Sequence, residues 1–238
     1  MSESSKAVKE PLNRSQKNVF WLIFISISLL NLFGNHIENE FLITYTKPFI
    51  VPFIAIYFST SWQEKSENSI IYKSMMIGFF FAWLGDLYMM FSVDMEIMVL
   101  ALVSFLICHI LYSIALFFSS VKGDYKWIFI VTLPLIAVGA FLGHKIGGND
   151  KVMAVPVMLY SIVISIMFSF TVIRMFRIKN IWGVLTCIGG LLFICSDMMI
   201  GFKNFQSYHI PETYIMVAYI LSQVCITRGM LTEGEAKA

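Results

Sequence analysis

Apolar residues fill this chain in long runs, broken only by brief polar links. About 17 to 25 apolar residues cover the hydrocarbon core of a bilayer, so the runs can be counted as spans. Eight are predicted, at 19–33, 41–58, 70–91, 95–118, 127–142, 152–173, 181–202 and 211–230, the first and fifth being the shortest. The links at 59–69, 119–126, 143–151 and 203–210 are too short to hold a separate domain. The expected fold is an all-α, eight-helix polytopic membrane bundle: a polar N-terminal segment at 1–18, a transmembrane domain at 19–230 and a tail at 231–238.

Two of the runs share a feature. The third contains Gly85-Asp86 with Phe91 five positions on, and the seventh contains Ser196-Asp197 with Phe202 five positions on. The match suggests that helices one to four and five to eight are parallel repeats, an arrangement that places polar sites at the interface between halves.

Composition agrees with the pattern. Of 238 residues, 58% are hydrophobic and only 13% charged, and the mean hydropathy is +0.77, well outside the range of soluble domains. The formal net charge of +2 is small and the basic residues fall in links, so nucleic acid is not an expected partner. Lys and Arg do set an orientation. The N-terminal segment, the links with Lys65 and with Lys122 and Lys126, the Arg174-Arg177-Lys179 cluster and the tail would be cytoplasmic, leaving Lys145, Lys151 and Lys203 opposite. Both termini then lie in the cytoplasm. The polar start carries Lys6, Lys9, Arg14 and Lys17 with no small-x-small cleavage site after it, which reads as a retained first helix. The membrane would be the endoplasmic reticulum in a eukaryote and the inner membrane in a bacterium. Cys108, Cys187, Cys195 and Cys225 sit in apolar runs without CxxC spacing and read as small buried hydrophobes.

An Asp in a membrane helix costs about 2.5 to 3.5 kcal/mol at mid-span, so Asp86 and Asp197 need a reason. With the spans above, both lie roughly 8 Å below the non-cytoplasmic boundary. Lys47 enters helix two from the same side, and Tyr160 and Tyr219 come about one turn lower, completing a polar layer. Two carboxylates sharing a low-dielectric pocket are not both ionised at ease. One becomes an acid and its neighbour a base, the pairing that hydrolysis of an acid-labile bond requires. The plain alternative is that they only bond helices together.

Lys47 is a candidate to orient a substrate phosphate or to neutralise an Asp, with Pro48 and Pro52 kinking the helix around it. His109 and Tyr112 share a face of helix four, and Tyr219 and Gln223 share one on helix eight; each is a candidate ligand contact or an interhelical bond. Arg228 reads as a snorkelling anchor. One intramembrane His supplies too few conventional ligands for zinc, so neither a metal nor another cofactor is expected. Met and Phe residues would pack or line a slot for an acyl or alkenyl chain.

Taken together, Lys47-Pro48, Gly85-Asp86, His109-x-x-Tyr112, Ser196-Asp197 and the Tyr219/Gln223 helix resemble the YhhN family of eight-helix membrane proteins, whose animal members are lysoplasmalogenases. The resemblance runs through nearly all of the chain beyond its polar start. It implies hydrolysis of the vinyl ether bond of a lysophospholipid, lysoplasmalogen, to a fatty aldehyde and glycerophosphoethanolamine or glycerophosphocholine. Asp86 and Asp197 would be the catalytic pair, with acid and base unassigned, and Lys47, Tyr160 and Tyr219 would position the substrate. Beyond substrate and membrane lipid, no partner is implied.

Two other functions use the same residues. In a transporter the Asp pair and His109 would relay protons or bind a cation, although the spans lack the strongly broken helices of midplane ion sites. Intramembrane proteases also use two aspartates, but their Gly-x-Gly-Asp element would need Gly where Trp83 stands, and Ser196 replaces the Tyr of their Tyr-Asp motif.

Overall fold

A computed structural model describes residues 14–62, 70–91, 94–120, 126–148 and 153–235. Among them are eight helices and no strand: α1 (Arg14–His36), α2 (Glu40–Ser61), α3 (Ile70–Met90), α4 (Met95–Ser120), α5 (Lys126–Gly147), α6 (Ala154–Ile178), α7 (Ile181–Gln206) and α8 (Glu212–Glu235). All eight are long and apolar enough to cross a membrane. The helices pack chiefly as hairpins, α1 on α2, α3 on α4, α5 on α6 and α7 on α8, with α4 and α6 meeting in the centre.

Turn chemistry sets the tight corners. Asn39 accepts the Leu42 N–H at the start of α2, satisfying one of the donors a helix start leaves over. Asn180 does the same for Trp182 and Gly183 at the start of α7. The residue before it, Lys179, takes a left-handed φ of 52° that ends α6 and reverses the chain.

Every helix but α3 runs past its expected span at one end or both, α1, α5 and α7 among them. α1 begins at Arg14, α5 continues through His144 and Lys145, and α7 continues through Lys203 to Gln206. An α-helix keeps its backbone hydrogen bonds whether its side chains meet hydrocarbon or headgroup, so polar end turns escape an apolar-run count. On α5 the small face of Gly139, Gly143 and Gly147 carries the helix on: a Cβ at any of them would come within 2.7 Å or less of α6 atoms. Gln206 then ties the end of α7 to that of α5, donating to the carbonyls of Lys145 and Ile146. The segments with Lys6, Lys9, Lys65, Lys122 and Lys151, and the last three residues, lie outside the described residues.

Two arginines differ from the sequence reading. Arg174 is no loop residue but fully buried in α6. Its guanidinium donates to Ser119 Oγ at 2.9 Å and to the Gly229 carbonyl at 2.8 Å, joining α6 to α4 and α8. Arg228 does not snorkel. It turns into the bundle among Trp21, Tyr57 and Trp182, with ring centroids 5.7 to 5.9 Å away, and it donates to the Tyr57 hydroxyl. These cation–π contacts bind α1 to α2, α7 and α8.

Candidate functional site: a carboxylate chamber among α3, α4, α6, α7 and α8

Asp86 is almost completely buried, at 3% exposure, on the inner face of α3. The preceding Gly85 allows this. A Cβ there would lie 2.9 Å from the Phe105 ring, so α4 approaches α3 closely only because the side chain is missing. Tyr219 of α8 donates its hydroxyl to Asp86 Oδ2 at 2.9 Å. Half-buried Lys47 of α2 is near enough for its charge to act on the same carboxyl.

Asp197 of α7 has a different environment. Its side chain keeps 10% exposure. Tyr160 of α6 donates a hydrogen bond to Oδ2, and His109 Nε2 of α4 lies 3.4 Å from that same oxygen. The other ring nitrogen, Nδ1, is 2.6 Å from the Phe105 carbonyl. A carbonyl only accepts, so Nδ1 carries a proton.

The two carboxyls belong to one neighbourhood: each lies within reach of the other's charge, and Cys108 senses both. The fully buried Phe193 ring joins their partners, with edge contacts to His109 at 4.6 Å, Tyr219 at 5.7 Å and Tyr112 at 6.4 Å. Aromatic walls hold the polar groups in register and keep the local dielectric low, which strengthens every interaction among them.

A cavity of about 70 Å³ opens beside Asp197, several times what one water needs. Asp197 and Tyr160 lie on its wall with Ser161 and Ser165; the rest is apolar, from Leu102, Phe105, Leu142, Ile146, Val157, Ile164, Ile194 and Phe205 among others. The serine hydroxyls are already engaged with the carbonyls one turn back on α6. The free polar edge of the cavity is therefore the Asp197 carboxyl with its tyrosine.

The structure thus brings together Lys47, Asp86, His109, Tyr160, Asp197 and Tyr219. It places Tyr112 and Gln223 differently. Both are fully buried and bonded to one another, Tyr112 donating to Gln223 Oε1 at 2.8 Å; neither lines the cavity. Asp86 is not on the cavity wall either and reaches it only through its field. The sequence reading missed Phe193 and Phe105, which look like ordinary packing residues, and the α5–α6 wall. The glycines of α5 at every fourth position were the available signal for that wall. No three His, Cys, Asp or Glu side chains cluster as a metal site among the described residues.

The model of the YhhN family matches residues 42–230, from the start of α2 into α8, leaving α1 outside the match. No curated protein and no solved structure matches the chain.

Proposed function

The chain belongs to the YhhN family, and from that premise we propose that it is a membrane-embedded hydrolase of the vinyl ether bond of lysoplasmalogens. The observation that carries the reading is the wall of the cavity, where one carboxyl with a tyrosine donor faces an otherwise apolar slot while a second carboxyl lies within electrostatic reach. That combination suits a substrate with a hydrocarbon arm and one acid-labile bond at its polar end.

The chemistry asks for a proton donor, a negative field and a water. A proton passes from a carboxyl to the β-carbon of the vinyl ether, and the ether oxygen shares the resulting positive charge as an oxocarbenium ion. Negative charge nearby stabilises that ion in a low-dielectric site. Water adds to the carbon bearing the ether oxygen and gives up a proton to a carboxylate. The hemiacetal collapses to a fatty aldehyde and the free glycerol hydroxyl, and the acid is restored. Tyr160 and Tyr219 hold the two carboxyls in place, and Lys47 balances the charge on Asp86.

The test is purified protein in detergent or liposomes with an alkenyl lysophospholipid, assayed for aldehyde. Release by the native chain and at least 10²-fold loss in both Asp86→Asn and Asp197→Asn support the reading. Proton-coupled uptake of a solute with no aldehyde formed replaces it with transport.

A further inference from the structure

Resting on that reading, we infer that His109 is a positioning residue that keeps a proton on the Asp197 carboxyl, which makes Asp197 the acid and Asp86 the ionised partner.

The geometry of one imidazole leads there. Nδ1 donates to the Phe105 carbonyl, so in the neutral ring Nε2 has only a lone pair to offer. Asp197 Oδ2 lies 3.4 Å from that nitrogen, and Nε2 has no hydrogen-bond partner although the ring is completely buried. A bare carboxylate facing a lone pair would leave two acceptors opposed. One proton between Nε2 and Oδ2 resolves this. It resides on Asp197 because a neutral carboxyl–imidazole pair costs less in an enclosed apolar site than a carboxylate–imidazolium pair with its two desolvated charges.

The surroundings divide the carboxyls the same way. Facing Asp197 are His109 and Cys108 from α4, Tyr160 from α6 and Asp86 from α3, none of them a fixed cation. Facing Asp86 are Lys47 from α2, Tyr219 from α8 and, through their charge coupling, Cys108 and Tyr112 from α4 and Asp197 from α7. Each carboxyl receives one tyrosine hydroxyl, so the difference between them is the cation, which stands on Asp86, where negative charge is wanted. The acid then sits on the cavity wall and the charge one layer behind it.

Infrared difference spectra of the native chain test this without any substrate. At neutral pH the native protein should show a buried carboxylic-acid C=O band that Asp197→Asn removes and Asp86→Asn leaves. A band removed by Asp86→Asn instead, or no such band, overturns the assignment. If the band belongs to Asp197 and no aldehyde is released, the proton assignment stands and the lysoplasmalogen reading falls. In the enzyme, His109→Phe keeps the ring volume against Phe193 but removes the acceptor. It should lower kcat by roughly 10²-fold with KM nearly unchanged, and move the alkaline limb of the pH–rate profile to lower pH. His109→Gln, which still offers an acceptor, should recover part of kcat. Equal losses in both variants with an unmoved profile would assign His109 a packing role only.

Discussion

Phe105 closes over Gly85 so tightly that a single added carbon at Gly85 would stand 2.9 Å from its ring. The same Phe105 gives its carbonyl to His109 and packs its ring edge-on to Tyr219 with centroids 6.1 Å apart. One close approach between α3 and α4 therefore sets both the imidazole and the tyrosine that serve the two carboxyls. Gly85→Ala should cost about 1 to 3 kcal/mol of stability through overpacking and lower kcat at least tenfold. Adding Phe105→Leu should restore much of the stability but less of the activity, because the wall against Tyr219 is thinned. Thermal unfolding and aldehyde release measured on the single and double variants separate the two effects.

Tyr219 and Tyr160 each donate to one carboxyl, and a hydrogen bond to a charged group is worth about 1.5 to 3 kcal/mol. Tyr219→Phe removes the donor from the carboxyl proposed to be ionised. Its kcat should fall roughly 10- to 100-fold while KM for the lysolipid barely moves. Tyr160→Phe touches the cavity wall as well, so it should raise KM too. Steady-state kinetics on the pair check the contrast.

Much of this was legible in the chain because the membrane punishes polar residues. Asp86, Asp197 and Lys47 could be picked out, and Tyr160 and Tyr219 placed about one turn from their depth, because an ionisable group inside an apolar run is expensive and span counting gives its height. Azimuth was not legible. Whether Tyr112 faces a ligand or Gln223 depends on a rotation of α4 against α8 that no single run of letters fixes, and nearly all faces of these helices are apolar. Arg174 looked like part of a loop cluster for the opposite reason: its neighbours Arg177 and Lys179 end the helix, while its own partners, Ser119 and the Gly229 carbonyl, come from distant helices.

The rate should depend on pH from both sides, with the sign set by the roles. Below the working range the ionised carboxyl gains a proton, the negative field is lost and the rate falls. Above it the acid loses its proton and the rate falls again. Asp86→Asn should abolish activity at every pH, not merely displace the acid limb, since a neutral amide never supplies the charge. A full profile of kcat/KM for the native chain and both Asn variants reads this directly.

Trp83 and Pro48 tie Lys47 into the same design. Pro52 has no N–H, so the Pro48 carbonyl one turn earlier has no partner within α2. The Trp83 indole of α3 takes its place, donating at 2.9 Å. Trp83→Phe keeps an aromatic ring but strands that carbonyl away from water, at a cost of about 1 to 3 kcal/mol. If the indole matters for this reason, Pro52→Ala should offset the loss in the double variant by restoring the backbone bond, while costing little or destabilising when made alone. The position of Lys47, next to the stranded carbonyl, should loosen with it, so Trp83→Phe should also lower kcat severalfold. Double-mutant thermal unfolding in lipid nanodiscs gives the coupling; additive losses would mean that Trp83 acts through packing alone.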